Sequence, residues 1–122
     1  MDKDAALSTT LVDMFAKCDE MRKAREVFDR ILVAVVVAWN ALINGYALNG
    51  LGHEALDCFR EMEEKSVSPN IVTFICILKA CASICSLDNG QEICAKVCKQ
   101  GLLGKDVILD TTLVDMYAKC GQ

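Results

Sequence analysis

One ten-residue segment occurs twice in this chain and constrains its fold more than any other feature. Residues 9–18 read TTLVDMFAKC and residues 111–120 read TTLVDMYAKC, so the two copies differ only at Phe15 and Tyr117. The copies lie 102 residues apart, from Thr9 to Thr111. A sequence that repeats over such a distance is typical of an array of stacked units, each of which buries its apolar face against its neighbours.

The residues between the two copies divide into shorter units of the same kind. Units that span residues 5–35, 36–70 and 71–106, followed by residues 107–122, give complete lengths of 31, 35 and 36 residues. Apolar residues recur at the seventh, eighth and twelfth positions of each unit and again in its second half. The twelfth position is always alanine: Ala16, Ala47, Ala82 and Ala118. These spacings predict two amphipathic helices per unit, and therefore an all-α fold, an α-solenoid of antiparallel helical hairpins.

The charge of the chain and its lack of catalytic motifs narrow the possible functions. The 122 residues carry 13 Lys and Arg against 17 Asp and Glu, a net charge of −4. This balance argues against a strong phosphate-binding surface, because nonspecific nucleic-acid affinity comes mainly from Lys and Arg. The only histidine, His53, lies beside Glu54 at a predicted helix start, which indicates a surface residue. We find no nucleophile elbow, phosphate loop or histidine-carboxylate cluster, so we predict that the chain is not an enzyme.

The N-terminal residues do not resemble a targeting segment. They lack the apolar core of a secretory leader, and the eight cysteines then indicate reduced thiols inside a cell or organelle. The longest strongly apolar run, residues 31–39, is shorter than the roughly 20 residues that a membrane helix needs. We therefore predict no membrane segment.

Five of the eight cysteines lie in the unit 71–106, and four of them form two pairs at helical spacing. Cys81 with Cys85 and Cys94 with Cys98 could place four sulfur atoms around a zinc ion. Alternatively, these cysteines are small apolar residues where hairpins pack closely, since Cys81 and Cys94 occupy positions that hold aromatic residues in other units. The pairs lack the tight spacing typical of zinc sites, which favours packing. We predict no metal and no other cofactor.

Several segments carry a family resemblance. The segments WNALINGYALNG, EALDCFREM, VSPN, TFICILKACAS and LVDMYAKCG, with units of 31, 35 and 36 residues, resemble pentatricopeptide repeat proteins. They are most similar to the plant subclass that alternates short, standard and long repeats. The resemblance makes 5–35 a short repeat, 36–70 a standard repeat, 71–106 a long repeat and 107–122 the first helix of another short repeat. It implies a right-handed superhelix that binds single-stranded RNA, one nucleotide per repeat.

The resemblance also assigns candidate RNA contacts. In this family the fifth and last residues of a repeat contact the base edge, and the second residue packs against the base face. Asn40 and Asn70 hold the fifth and last positions of the standard repeat, which implies a preference for a pyrimidine. Thr9 and Thr111 suggest purines, whereas Ile75 has no group that can hydrogen-bond a base. The predicted base-edge contacts are Thr9, Val35, Asn40, Asn70, Ile75, Asp106 and Thr111, and the predicted base-packing residues are Ala6, Val37, Val72 and Ile108.

The same resemblance implies partners and a location for the parent protein. Single-stranded RNA is the expected ligand, with other RNA-editing or RNA-processing proteins as further partners, in a mitochondrion or chloroplast. The chain contains no zinc deaminase signature, so we expect it to help address an RNA site rather than to edit it.

A protein-interaction scaffold is the alternative function. The spacings from Ala24 to Phe28 and from Ala55 to Phe59 also suit tetratricopeptide repeats, which bind peptides. Tetratricopeptide units keep a length of 34 residues, whereas these units vary between 31 and 36. Unit length therefore favours the RNA-binding interpretation.

Overall fold

The structure, a computed structural model, describes residues 2–31 and 35–121, with side chains described from residue 7 onward. Helices account for most of these residues, and no strand occurs among them. In chain order the helices are α1 (Asp2–Lys17), α2 (Met21–Asp29), α3 (Val36–Leu48), α4 (Gly52–Glu64), α5 (Ile71–Ser83), α6 (Leu87–Lys99) and α7 (Val107–Lys119). The predicted all-α fold is confirmed. Within the described ranges, no helix has the length and apolar composition that crossing a membrane requires.

The helices form two layers. The odd-numbered helices pack against one another in succession, α1 on α3, α3 on α5 and α5 on α7. Each even-numbered helix packs against the odd-numbered helices before and after it, but in the described residues the backbones of α2, α4 and α6 do not approach one another in the same way. Because the layer of odd-numbered helices is more closely packed than the other, we infer that the stack curves, with these helices on its concave side.

Each odd-numbered helix ends in a turn of the same geometry. One residue just past the helix has a left-handed backbone, with φ of 61° at Asp19, 75° at Gly50, 52° at Cys85 and 85° at Gly121. After α3, the Gly50 amide donates to the Ala47 carbonyl at 3.2 Å and the Leu51 amide donates to the Tyr46 carbonyl at 2.8 Å. This Schellman motif satisfies the last carbonyl groups of the helix and reverses the chain. The same turn leads from α1, α3 and α5 into the following helices.

Aromatic side chains join consecutive hairpins. Trp39 on α3 is 2% exposed and meets Phe28 on α2 edge to face, with ring centroids 4.7 Å apart. Phe59 on α4 and Phe74 on α5 are also buried, with centroids 6.4 Å apart. Such pairs contribute about 0.5–1.5 kcal/mol beyond the area that they bury. The core is therefore continuous from one hairpin to the next.

The recurring apolar positions explain most of this core but not all of it. Val12, Ile43 and Leu78 share the eighth position of the predicted units and are fully buried. Val114 occupies the same position on α7 but is 69% exposed. The reason is that, among the described helices, α7 packs against α5 and α6 alone, and neither covers the face that carries Val114.

Long polar side chains connect the even-numbered helices, which form the outer layer and are more widely spaced. Arg25 on α2 donates to both carboxylate oxygens of Glu61 on α4, at 3.2 and 3.0 Å. Lys96 on α6 lies 3.1 Å from the carboxylate of Glu63 on α4. Partial burial lowers the pKa of Arg25, but the hydrogen bond and charge of Glu61 and the charge of Asp29 together raise it by more, so Arg25 stays charged. Charge pairs thus span the gap that backbone packing leaves in the outer layer.

Gly45 permits the close approach of α1 and α3. A Cβ atom added at Gly45 would lie 2.6 Å from the Cβ of Ala16 on α1, which cannot move without its backbone. Gly90 on α6 is also crowded, since an added Cβ would lie 2.4 Å from the sulfur of Met116. That sulfur belongs to a flexible side chain that can rotate away. The two glycines therefore differ in how readily a neighbour can yield.

We predict that Gly45→Ala destabilises the chain by about 1–3 kcal/mol, because the new methyl group forces two inner helices apart. Gly90→Ala is the matched control, and its free energy of unfolding should stay within about 1 kcal/mol of the wild-type value because Met116 yields and alanine favours the helix. Urea unfolding followed by circular dichroism measures both. Equal stability of the two variants would contradict the packing argument.

Candidate nucleic-acid interface

The predicted base-packing residues lie at one edge of the concave layer. Because each turn reverses the chain, α3, α5 and α7 run in the same direction and their first turns lie at the same edge. Val37, Val72 and Ile108 are the second residues of these helices and are 59%, 52% and 61% exposed. Exposed aliphatic side chains at equivalent places can pack against the flat apolar faces of a ligand. Ala6 belongs to the part of α1 whose side chains lie outside the described residues.

The structure brings Asn40 and Asn70 into direct contact. Asn40, on the first turns of α3, is 7% exposed, whereas Asn70 is exposed and caps α5. The Asn40 Nδ2 donates to the Asn70 Oδ1 at 3.0 Å. Asn70 also forms a capping box with Thr73. The backbone N–H of Thr73 donates to Asn70 Oδ1, and the backbone N–H of Asn70 donates to Thr73 Oγ1, both at 3.1 Å. The two residues predicted to contact one base are therefore joined, at the junction of α3 and α5.

These hydrogen bonds fix the orientation of both amide groups. A backbone N–H can only donate, so the Asn70 atom that faces the Thr73 amide must be the oxygen. The Asn40 atom that meets this oxygen must then be the nitrogen, which turns the Asn40 oxygen towards the Thr73 hydroxyl. The hydroxyl donates to that oxygen. The remaining hydrogen-bonding group at the exposed side of the pair is the Nδ2 of Asn70, which is a donor.

The other predicted base-edge positions have different surroundings. Asp106 is half-buried and caps α7, and its Oδ1 accepts from the Leu109 amide at 3.0 Å. Ile75, on α5, is half-buried and has no polar atom with which to join Asp106. Thr9 is half-buried on α1, and Val35 is 56% exposed and precedes α3 without a side-chain cap. Thr111 is exposed on α7. Among the predicted pairs, only Asn40 with Asn70 consists of two polar side chains.

Thr73 belongs to this site, although sequence reasoning did not include it. It is fully buried and bonds to both asparagines. Part of the signal is visible in the sequence, because Asn70 followed by Thr73 has the spacing of a helix-capping box. The contact with Asn40 is not visible, because it depends on how α3 and α5 pack.

The cysteines do not form a metal site in the described part of the chain. No three His, Cys, Asp or Glu side chains there lie close enough to share an ion. Cys81 is fully buried and Cys94 is half-buried, as expected of residues that replace aromatic side chains, whereas Cys85 and Cys98 are exposed. Burial raises the pKa of Cys81, and likewise that of Cys58, to about 12. These two thiols are therefore packing residues.

We predict that Cys58 and Cys81 resist alkylation of the folded protein by iodoacetamide at about pH 8. With a pKa of about 12, roughly one such thiol in ten thousand is ionised at that pH, and the thiolate is the reactive form. The exposed Cys18 and Cys85 should react much faster. Mass spectrometry of peptides after timed labelling measures the rates. Urea-unfolded protein is the control, and equal rates in the folded protein would show that the two sites open readily.

The geometry defines a class of protein. Paired helices stacked in two layers, with a concave layer that presents side chains from successive units, make an α-solenoid of helical repeats. The sequence places this solenoid in a particular family. A model described as "PPR repeat family" matches residues 34–83, and one described as "PPR repeat" matches residues 7–34. Together they span residues 7–83, which is 77 of the 122 residues, so the chain belongs to the pentatricopeptide repeat family.

Relatives in Arabidopsis thaliana match nearly the whole chain. The pentatricopeptide repeat-containing protein At2g13600 is 42% identical over 98% of this chain and 17% of its own length. The chloroplastic protein At2g02980 is 42% identical over 99% of this chain and 20% of its own length. The mitochondrial protein At2g03380 is 42% identical over 97% of this chain and 17% of its own length. The chain thus spans about a fifth or less of the length of these relatives.

A solved structure agrees with the fold. The crystal structure of the pentatricopeptide repeat protein PPR10 from maize superposes with a TM-score of 0.74, at 26% sequence identity, over 93% of this chain and 17% of that chain. The predicted family and the predicted helical-repeat solenoid are therefore confirmed.

Proposed function

We propose that this chain recognises single-stranded RNA with its concave layer, one nucleotide per repeat, through the base-edge and base-packing residues named above. The observation that carries this proposal is the Asn40 and Asn70 pair. Its two amide groups are held in one orientation by hydrogen bonds and present a donor at the exposed side. Membership of the pentatricopeptide repeat family supports the proposal.

The site combines one polar contact with apolar surfaces. Val37 and Val72 are exposed aliphatic residues on neighbouring helices, close in sequence to the asparagine pair. Stacking of a base against them would exclude water from the hydrogen bond that Asn70 donates, and a hydrogen bond is stronger in such surroundings. A pyrimidine carbonyl is a suitable acceptor. The site thus recognises a base by its edge and holds it by its face.

The excess of acidic residues affects how strongly RNA binds and how much binding depends on salt. A net charge of −4 leaves little capacity to displace counterions from phosphates. Binding that depends on base contacts should be weak for so few repeats and should change little with salt. This agrees with a role as part of a longer RNA-binding array.

The parent protein, by this proposal, is a plant-type factor with alternating short, standard and long repeats. It addresses sites for organellar RNA processing or editing in a mitochondrion or chloroplast, together with other proteins of that machinery. The names of two relatives, one chloroplastic and one mitochondrial, support the location. We assign no catalytic role to this chain.

We predict that the chain prefers RNAs with a pyrimidine at the nucleotide that faces Asn40 and Asn70. Asn40→Thr should shift this preference towards purines by about tenfold, which corresponds to about 1.4 kcal/mol, the worth of a hydrogen bond. Fluorescence anisotropy with short labelled RNAs that differ at one nucleotide measures the shift, and circular dichroism checks folding.

A matched control uses the same substitution in the outer layer. Asn89 on α6 accepts from Arg60 at 2.7 Å and lies away from the concave side. Asn89→Thr should therefore leave base preference unchanged. If folded wild-type protein binds none of the RNAs at high concentration, RNA recognition by these units alone is wrong, and binding of a protein partner becomes the function to test.

A further inference from the structure

We propose that Thr73 is a positioning residue that sets the base preference of the preceding repeat, by holding the Asn40 and Asn70 amides in one orientation. The inference rests on the proposed RNA recognition and goes beyond it. Thr73 is fully buried and lies outside the set of predicted base contacts. It belongs to the unit 71–106, whereas both asparagines belong to the unit 36–70.

The hydroxyl group of Thr73 acts in two directions at once. It accepts from the backbone N–H of Asn70 at 3.1 Å and donates to the side-chain Oδ1 of Asn40. The hydroxyl also lies 3.0 Å from Asn70 Oδ1, but it has one proton, and the Asn40 oxygen is the nearer acceptor. The Thr73 hydroxyl proton is therefore hydrogen-bonded to Asn40 Oδ1, the carbonyl oxygen of a side chain that is 7% exposed.

The hydrogen bond from Thr73 to Asn40 determines which groups the site offers to RNA. With its oxygen engaged by Thr73 and its nitrogen donating to Asn70, Asn40 serves as an anchor. Asn70 then presents N–H groups outward, so the site meets acceptor atoms of the base edge, such as the carbonyl groups of a pyrimidine. Without the hydroxyl, the Asn40 oxygen loses this donor, and the Asn40 side chain becomes free to turn. The turned side chain would bring its oxygen, an acceptor, towards the base, and the site would then favour bases that donate.

The dependence is specific to this junction. The equivalent third residue of α3 is Ala38 and that of α7 is Leu109, neither of which has a hydroxyl group. The polar partners also differ there, because Val35 precedes α3 and Ile75 is the fifth residue of α5. Base preference at the standard repeat is thus coupled to one residue of the following repeat.

The first test compares base preference in three proteins. Thr73→Val keeps the shape of the side chain and removes the hydroxyl group, whereas Thr73→Ser keeps the hydroxyl. We expect Thr73→Val to change the ratio of pyrimidine to purine affinities by about fivefold or more, which corresponds to about one hydrogen bond. Thr73→Ser should keep the ratio within about twofold of the wild type. A merely structural role would weaken all RNAs alike, so an unchanged ratio in Thr73→Val overturns the inference.

The second test needs no RNA. Hydrogen exchange of side-chain amides by NMR should show the Asn40 Nδ2 protons protected in wild type and Thr73→Ser, and exchanging about tenfold faster in Thr73→Val, where the loss of one hydrogen bond frees the amide. Asn49 is the internal reference, because its Nδ2 donates to the carbonyls of Ala16 and Gly45 at 3.0 and 2.8 Å, away from Thr73. Faster exchange at both Asn40 and Asn49 would indicate general loosening of the fold and would contradict a positioning role for Thr73.

The two tests separate the two proposals. If wild-type protein binds no RNA but Asn40 alone loses protection in Thr73→Val, the proposed function is wrong and the positioning role of Thr73 stands. If RNA binds with pyrimidine preference and neither the ratio nor the exchange rate changes in Thr73→Val, the proposed function stands and the positioning role is wrong.

Discussion

The close packing of the odd-numbered helices is the constraint on which the rest of this structure depends. It requires small residues where α1 and α3 cross, and Ala16 and Gly45 supply them. Because α3 and α5 also pack directly against each other, Asn40 on one helix reaches Asn70 at the start of the next. A looser inner layer would separate these side chains. The candidate site is therefore a product of helix packing as much as of the residues in it.

Two residues that cap helices are also predicted to contact the ligand. Asn70 caps α5 and Asp106 caps α7, and both hold positions predicted to contact bases. A cap must have a fixed side-chain orientation, because it accepts from a backbone N–H. That requirement also fixes which atoms remain for a ligand. If these residues contact bases as proposed, a substitution at either one affects both base selectivity and helix initiation.

Sequence patterns were sufficient for the fold but not for the details of the site. The recurring apolar positions and the invariant alanine indicated stacked helical hairpins, since helix periodicity depends only on local spacing. Thr73 was missed because its bond to Asn40 joins residues 33 apart, and only the packing of α3 on α5 brings them together. The exposure of Val114 was likewise hidden, because a pattern shows which face is apolar but not whether another helix covers it. The base-contact assignments themselves stay predictions.

The two layers give the array different mechanical properties. Packed side chains hold the concave layer at fixed spacing, whereas the convex layer is held partly by Arg25 with Glu61 and Lys96 with Glu63, whose side chains are 30% to 35% exposed. Such pairs are weakened by salt and can break and reform without disturbing a core. We therefore expect bending that opens the outer side of the stack to cost less than bending that opens its inner side. Such bending would change the spacing of the outer helices while the contacts of the inner helices keep their geometry.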